Sequence, residues 1–217
     1  MSVRHHPSHD LLIAYAAGGL RADRALVIST HLRACDACRG EVGLAEAVGG
    51  ALLASLPPAA MAPDALERAL AQIERPAPGP PRPEAPTPNG APPGWIEIPK
   101  DVVDAVRNRR RWAAPGVWVA PVVGGPFGPR SYLLRVGAGM SVPRHTHRGS
   151  EMVCVLKGAF IDRGETYGPG DFVESDESVD HRPQVTADGE CVCLVAVDAS
   201  LVARDWVGRL FQPLVRI

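Results

Sequence analysis

The stretch HLRACDACRG, from His31 to Gly40, holds one imidazole and two thiols at offsets of zero, four and seven residues. On a helix each residue turns about 100°, so His31, Cys35 and Cys38 fall within about 60° of one another and can meet at one point. Two thiolates and an imidazole suit a tetrahedral Zn²⁺, which has no geometric demand of its own and accepts mixed sulfur and nitrogen donors. A closed structural site needs a fourth donor. His5, His6 and His9 lie upstream in RHHPSHD, and one of them folding back across the second helix would supply it. His6 is favoured, although spacing alone does not choose among the three. A CxxC can also be a redox dithiol, but the βαβ pattern that houses such a pair is absent.

The second constellation is GMSVPRHTHRGSEMVCVLKG, from Gly139 to Gly158. The HxH spacing puts His145 and His147 on one face of a strand, because side chains alternate with a period of two. Glu151 adds an oxygen donor after a short turn. With Gly139 and Gly158 these residues match, without a gap, the first cupin motif, Gly-x5-His-x-His-x3-Glu-x6-Gly. The resemblance to cupins implies a last histidine from a neighbouring strand, and His181 in DESVDHRPQ follows the turn YGPGDF where the second cupin motif would place it. Three nitrogens and one carboxylate make a site for zinc or another divalent metal. A Rossmann reading of GAGMSV fails, since the final glycine and a following helix are both missing.

These groups need elements to hold them, and the chain divides plainly. Residues 76–94 read PAPGPPRPEAPTPNGAPPG, with nine prolines in nineteen positions, a density that forbids helix and sheet interiors. Before this linker, helical patterns run over about 8–17, 23–34, 36–55 and 64–74. After it, WVAPVV, SYLLRV, MVCVLKGAF, DFVES and CVCLVAV are short runs rich in branched residues, separated by glycine turns. The expected fold class is multidomain α plus β: a small zinc-binding helical bundle over 1–75, a Pro-rich linker over 76–94, and a cupin β-barrel or sandwich over 95–217. A helical unit this small gains from a metal staple.

Composition limits the partners. The formal net charge of −1 and aromatic fraction of 5% give no overall pull toward nucleic acid or anionic membrane. The cluster RNRRR at Arg107–Arg111 reads as a solvated face rather than a DNA contact. Five cysteines in two regions do not form a secreted disulfide framework, so a reducing, cytoplasmic setting is expected. LLIAYAAGGL, Leu11–Leu20, has the length of a signal-peptide core, but capping by Ser8 or Asp10 and the Gly18-Gly19 end fit a short structural helix. No apolar run approaches the ~20 residues of a spanning helix.

HxxxCxxC with an upstream histidine resembles the zinc-binding anti-sigma domain of bacterial anti-sigma factors. Joined to a cupin, and with RHH, THLRACDAC, HRGSE and QPLVRI in the chain, the whole sequence resembles the ChrR-type anti-sigma family. That resemblance implies zinc on His6, His31, Cys35 and Cys38 and a second metal on His145, His147, Glu151 and His181. It also implies an extracytoplasmic-function (ECF) sigma factor as partner, clamped by the bundle and a further helix, and released on exposure to singlet oxygen or hydroperoxides with the cupin as sensor.

PDALERALAQIE, Pro63–Glu74, stands where the further helix would be. Leu66 and Leu70, with Ile73 beside them, would touch the partner; the plainer alternative is a helix packed back on its own bundle. Cys191 and Cys193 share one strand face, as oxidant targets or as inert buried thiols. Cys154 points opposite to Val153 and Val155, away from the metal side. A reading of another class is a metal-dependent cupin enzyme, a dioxygenase or isomerase, whose helical part binds a protein. No Ser-His-Asp set or phosphate loop accompanies the site, so no catalytic residue is assigned and the chain is read as a regulator.

Overall fold

The computed structural model describes residues 3–74, 95–96, 98–99, 102–104, 111–123, 130–199 and 202–203. The Pro-rich segment, most of the RNRRR cluster and the closing QPLVRI lie outside them.

Four helices come first: α1 (His9–Ala16), α2 (Ala22–Leu32), α3 (Asp36–Ala54) and α4 (Ala65–Glu74). Helix α1 follows Ser8 in an extended conformation and stops before Gly18, whose φ of +68° suits glycine. Val27, Ile28 and His31 form the fully buried stripe of α2 at helical spacing. The expected spans agree with these to within about two residues, as helix ends allow.

One expectation is corrected. His31, Cys35 and Cys38 do not share one helix. After α2, short turns take over: the Arg33 amide donates to the Thr30 carbonyl and the Ala34 amide to the His31 carbonyl. Cys35 is extended and caps α3, its Sγ accepting from the Cys38 amide at 3.5 Å. The sulfur takes the place of the usual capping oxygen, so the chain turns a corner at Ala34 instead of running on.

Among the described residues twelve strands follow: β1 (Arg111–Ala114), β2 (Val117–Val123), β3 (Arg130–Val136), β4 (His145–Thr146), β5 (Glu151–Lys157), β6 (Phe160–Asp162), β7 (Glu165–Tyr167), β8 (Phe172–Ser175), β9 (Asp180–His181), β10 (Gln184–Val185), β11 (Cys191–Val197) and β12 (Val202–Ala203). They make a six-stranded antiparallel sheet in the order β1-β2-β3-β11-β5-β8 and two three-stranded sheets, β10-β6-β7 and β12-β4-β9. Among the described residues no barrel closes, which sets aside the barrel in the barrel-or-sandwich expectation. The two-residue strands β4 and β9 pair with each other and β4 with β12, rather than with the edges of the large sheet.

The large sheet has two covered faces. Along β11, Cys191, Cys193, Val195 and Val197 join Phe160, Tyr167 and Val185 in one cluster, while Val192, Leu194 and Ala196 join the other. That second cluster also holds Met152, Cys154, Leu156 and Phe172 together with Leu12, Val27, Ile28, Leu32 and Val42 of the helices. The period of two thus assigns one face to the small sheets and the other to α2. The helical region and the sheet region share a single apolar core, each covering a face that would cost about 25 cal/mol per Å² to expose.

Candidate metal centres

The corner between α2 and α3 gathers the first cluster. The donor atoms of His6, His31, Cys35 and Cys38 all lie within 4.8 Å of one another; His6 is exposed and the other three are buried. His31 Nε2 is 3.3 Å from Cys38 Sγ, and His6 Nδ1 is 3.4 Å from both sulfurs. His31 Nδ1–H donates to the Gly170 carbonyl at 2.8 Å, which leaves Nε2 as the inward lone pair. Burial pushes the His31 imidazole below its ordinary range. Burial and the Cys35 thiol together raise Cys38 to about 12. Two sulfurs and two imidazole nitrogens converging in this way can hold a metal ion. Of the upstream histidines, His6 is the one in the cluster; His9 pairs with Glu41 at 2.9 Å and His5 packs on Tyr167.

The second cluster sits at the mouth of the β-sheets. His145 and His147 flank Thr146 across β4 and the turn after it, Glu151 opens β5, and His181 closes β9, where it is the register partner of His145. All four are buried, with donor atoms within 4.8 Å of one another. Each imidazole is held from behind through Nδ1: His145 by the Pro143 carbonyl at 2.8 Å, His147 by the Asp176 carbonyl at 3.3 Å, and His181 by Asp162 Oδ2 at 2.8 Å. The three Nε2 atoms therefore face inward. Those of His145 and His181 are 3.1 Å apart, and that of His147 is 3.1 Å from Glu151 Oε2, buried and without a hydrogen-bond partner. Converging lone pairs beside a carboxylate fit a divalent cation.

The electrostatics agree. Burial pulls His145 down, outweighing Glu151. At His147 burial is outweighed by the Glu151 carboxylate, and the imidazole is raised. Asp162 is held low against its burial by His181 and Arg163.

His145, Glu151 and His181 of the cluster, with Asp162, form one wall of a cavity of ≈ 70 Å³ lined otherwise mostly by apolar side chains such as Leu134, Val153 and Val195. Cys191 and Cys193 also line it, with Sγ atoms 3.7 Å apart. The neighbouring Cys191 thiol and then burial raise Cys193 well above its ordinary value, so it stays protonated. Cys154 is buried in the opposite, helix-facing layer, raised by burial. On α4 no residue is buried: Leu66, Leu70 and Ile73 are 71%, 50% and 79% exposed.

Sequence reasoning did not find Asp162, Gly170, Asp171 or Asp198. A buried aspartate closing the three-residue strand FID carries no spacing signal. The other three act across distances of more than 130 residues in sequence, on His31, on the backbone of Arg4 and His5, and on Arg21 and Arg24.

Fold and clusters together define a cupin-like protein carrying a helical Cys/His module. Residues 102–200 match the ChrR cupin-like domain family. The chain is 37% identical to the anti-sigma-E factor ChrR of Cereibacter sphaeroides over 223 residues, covering 100% of both chains. It also resembles the crystal structure of Rhodobacter sphaeroides SigE in complex with the anti-sigma ChrR, at 34% identity and a TM-score of 0.74, covering 91% of this chain and 100% of that one. The chain belongs to the ChrR family of anti-sigma factors. Among the described residues no helix is long and apolar enough to cross a membrane.

Proposed function

We propose that this protein binds and inhibits an ECF sigma factor in the cytoplasm, and releases it when singlet oxygen or a hydroperoxide acts on the cupin region. The likeness to a protein named for its action on sigma-E, solved with SigE, supports this. The observation that carries it is the exposed apolar surface of the helical region. Leu44, Leu52 and Leu53 of α3 are 69%, 65% and 70% exposed, and α4 adds Leu66, Leu70 and Ile73. Large apolar side chains left exposed on two successive helices are groups that a protein partner would cover. The reading divides the chain into a sigma-binding domain over 1–75, a linker over 76–94 and a sensing domain over 95–217.

In this reading His6, His31, Cys35 and Cys38 hold a structural zinc, and His145, His147, Glu151 and His181 hold zinc or another divalent ion. A bound zinc would tie the α2–α3 corner to the segment carrying His6, and such ions contribute roughly 10–16 kcal/mol of apparent binding energy in small domains. His31 keeps its metal-facing nitrogen free by donating from Nδ1, and Asp162 does the same for His181. Cys191 and Cys193 are the sulfur groups that a small oxidant entering the cavity meets.

Co-expression of the full chain with ECF sigma factors of the same organism tests this reading. A stable complex with one of them is expected, and changing Leu66, Leu70 and Ile73 to Asp should weaken it at least tenfold with an unchanged melting temperature. A metal-replete chain that captures none of them overturns the reading. The metal-dependent enzyme would then be tested by dioxygenase and isomerase assays.

A further inference from the structure

Among the described residues, the cupin region reaches the helical cluster at the turn between β7 and β8. Gly170 offers its carbonyl to His31 Nδ1–H at 2.8 Å. The Asp171 carboxylate accepts the backbone amides of Arg4 and His5 at 2.7 and 3.0 Å, and the Phe172 amide donates to the His5 carbonyl at 3.0 Å. Residues 4 and 5 are thereby laid along the turn, which delivers His6 to the two sulfurs. Phe172 packs edge-on against the His31 ring with centroids 6.0 Å apart.

The turn itself is rigid. Its Gly168 amide donates to Asp171 Oδ2 at 2.8 Å, and it exchanges two backbone hydrogen bonds with Val155 of β5. Gly170 has φ +91°, and a Cβ there would lie 2.9 Å from both Ala34 Cβ and Val3 Cγ2. Ala34 is the corner residue immediately before Cys35, and Val3 belongs to the segment carrying His6. A side chain at this position would force Ala34 or Val3 to shift, on top of the strain of its left-handed φ.

We infer that the Gly168–Phe172 turn of the cupin region is a positioning element of the helical metal site. The Gly170 carbonyl fixes the His31 tautomer, and the Asp171 carboxylate holds the segment that presents His6. The inference rests on the reading of His6, His31, Cys35 and Cys38 as a metal site. The grip of that site on its ion is then a property of both regions, and groups that support metal ligands from behind are worth about 10–100-fold in affinity.

The test loads the full chain with Co²⁺ and follows the thiolate-to-cobalt charge-transfer band, which reads the helical cluster alone because the cupin cluster has no sulfur donor. Cobalt is then titrated away with a chelator. Gly170→Ala and Asp171→Ala should lower affinity at the thiolate site about 10–100-fold. Asp171→Asn, which keeps one acceptor oxygen, should cost less. Asp198→Ala serves as the control: it cuts the separate contact of α2 with the sheet through Arg21 and Arg24, and should stay within about twofold of wild type.

Wild-type affinity in Gly170→Ala and Asp171→Ala, or an equal loss in Asp198→Ala, overturns the inference. If the variants do not fold, hydrogen exchange in the cobalt-loaded wild type decides: protected Arg4 and His5 amides support it, and exchange at the rate of open chain overturns it. A wild-type chain with no charge-transfer band instead refutes the metal reading beneath it.

Discussion

The Nε2 atoms of His145 and His181 lie 3.1 Å apart, while their Nδ1 atoms are committed to the Pro143 carbonyl and the Asp162 carboxylate. Donating from Nδ1, the two rings turn their Nε2 atoms toward each other, an arrangement that a shared cation accommodates. Asp162→Asn should therefore weaken divalent-metal binding at the cupin cluster about 10–100-fold, and His181→Ala should remove one ion per chain from the metal content. Chelator competition and elemental analysis measure the two effects, and the thiolate site should be unchanged in both variants.

The helical cluster should release protons when it takes up metal. With Cys38 raised to about 12 by burial and by Cys35, the free protein carries that thiol protonated at neutral pH, whereas the metal takes a thiolate. Affinity should rise with pH throughout the neutral range. Calorimetry of zinc binding in two buffers of different ionisation enthalpy should show at least one proton released per ion.

The docking of α2 on the sheet should weaken in acid. Asp198 accepts from Arg21 Nη2 at 2.8 Å, from Arg24 Nη2 at 2.6 Å and from the Ser150 amide at 2.9 Å, and Asp23 lies on the other side of Arg21. Burial would raise the Asp198 carboxyl, but the Ser150 amide and the two arginines outweigh it and hold the carboxyl low. A depressed folded value means a contribution present in full above the ordinary carboxyl value of about 4 and lost as pH falls through the lower folded one. The stability difference between wild type and Asp198→Asn, read from urea midpoints, should be constant from about pH 5 to 7 and shrink below about pH 4.

Two glycines separate backbone strain from collision. Gly158 has φ +70°, and a Cβ there would lie 2.1 Å from the Glu190 carbonyl oxygen; Gly164 has φ +86° with nothing within 4 Å. Gly164→Ala should cost about 1 kcal/mol and Gly158→Ala more than about 2 kcal/mol in chemical denaturation. Equal losses at the two positions would contradict the collision.

Much of this was legible in the residues themselves. β5 and β11 show in the sequence because seven-residue runs rich in apolar and branched side chains have few alternatives, whereas the strand expected to carry both histidines of HxH ends at Thr146 and leaves His147 in the turn after it. The corner at Ala34 was not legible, because offsets of four and seven satisfy a continuous helix as well as a capped turn. Strands as short as β6, which shares only Phe160 with MVCVLKGAF, and β7, which lies in the glycine-rich GETYGPGD, carry too few residues for alternation to be seen. The hold of Asp171 on Arg4 and His5 was beyond reach for another reason: it joins positions 167 and 166 residues apart, and only the folded sheet brings them together.

β11 is a partition between two rooms. Its odd-numbered residues, with both thiols, furnish the cavity side, and Val192, Leu194 and Ala196 furnish the side where α2 rests. A single-residue insertion or deletion at the start of this strand would reverse the furnishing, handing the sulfurs to the helices and the aliphatic groups to the metal wall. The strand's length is therefore far less free to vary than its individual aliphatic side chains, and related chains should exchange valine, leucine and isoleucine along it while keeping its count of residues fixed.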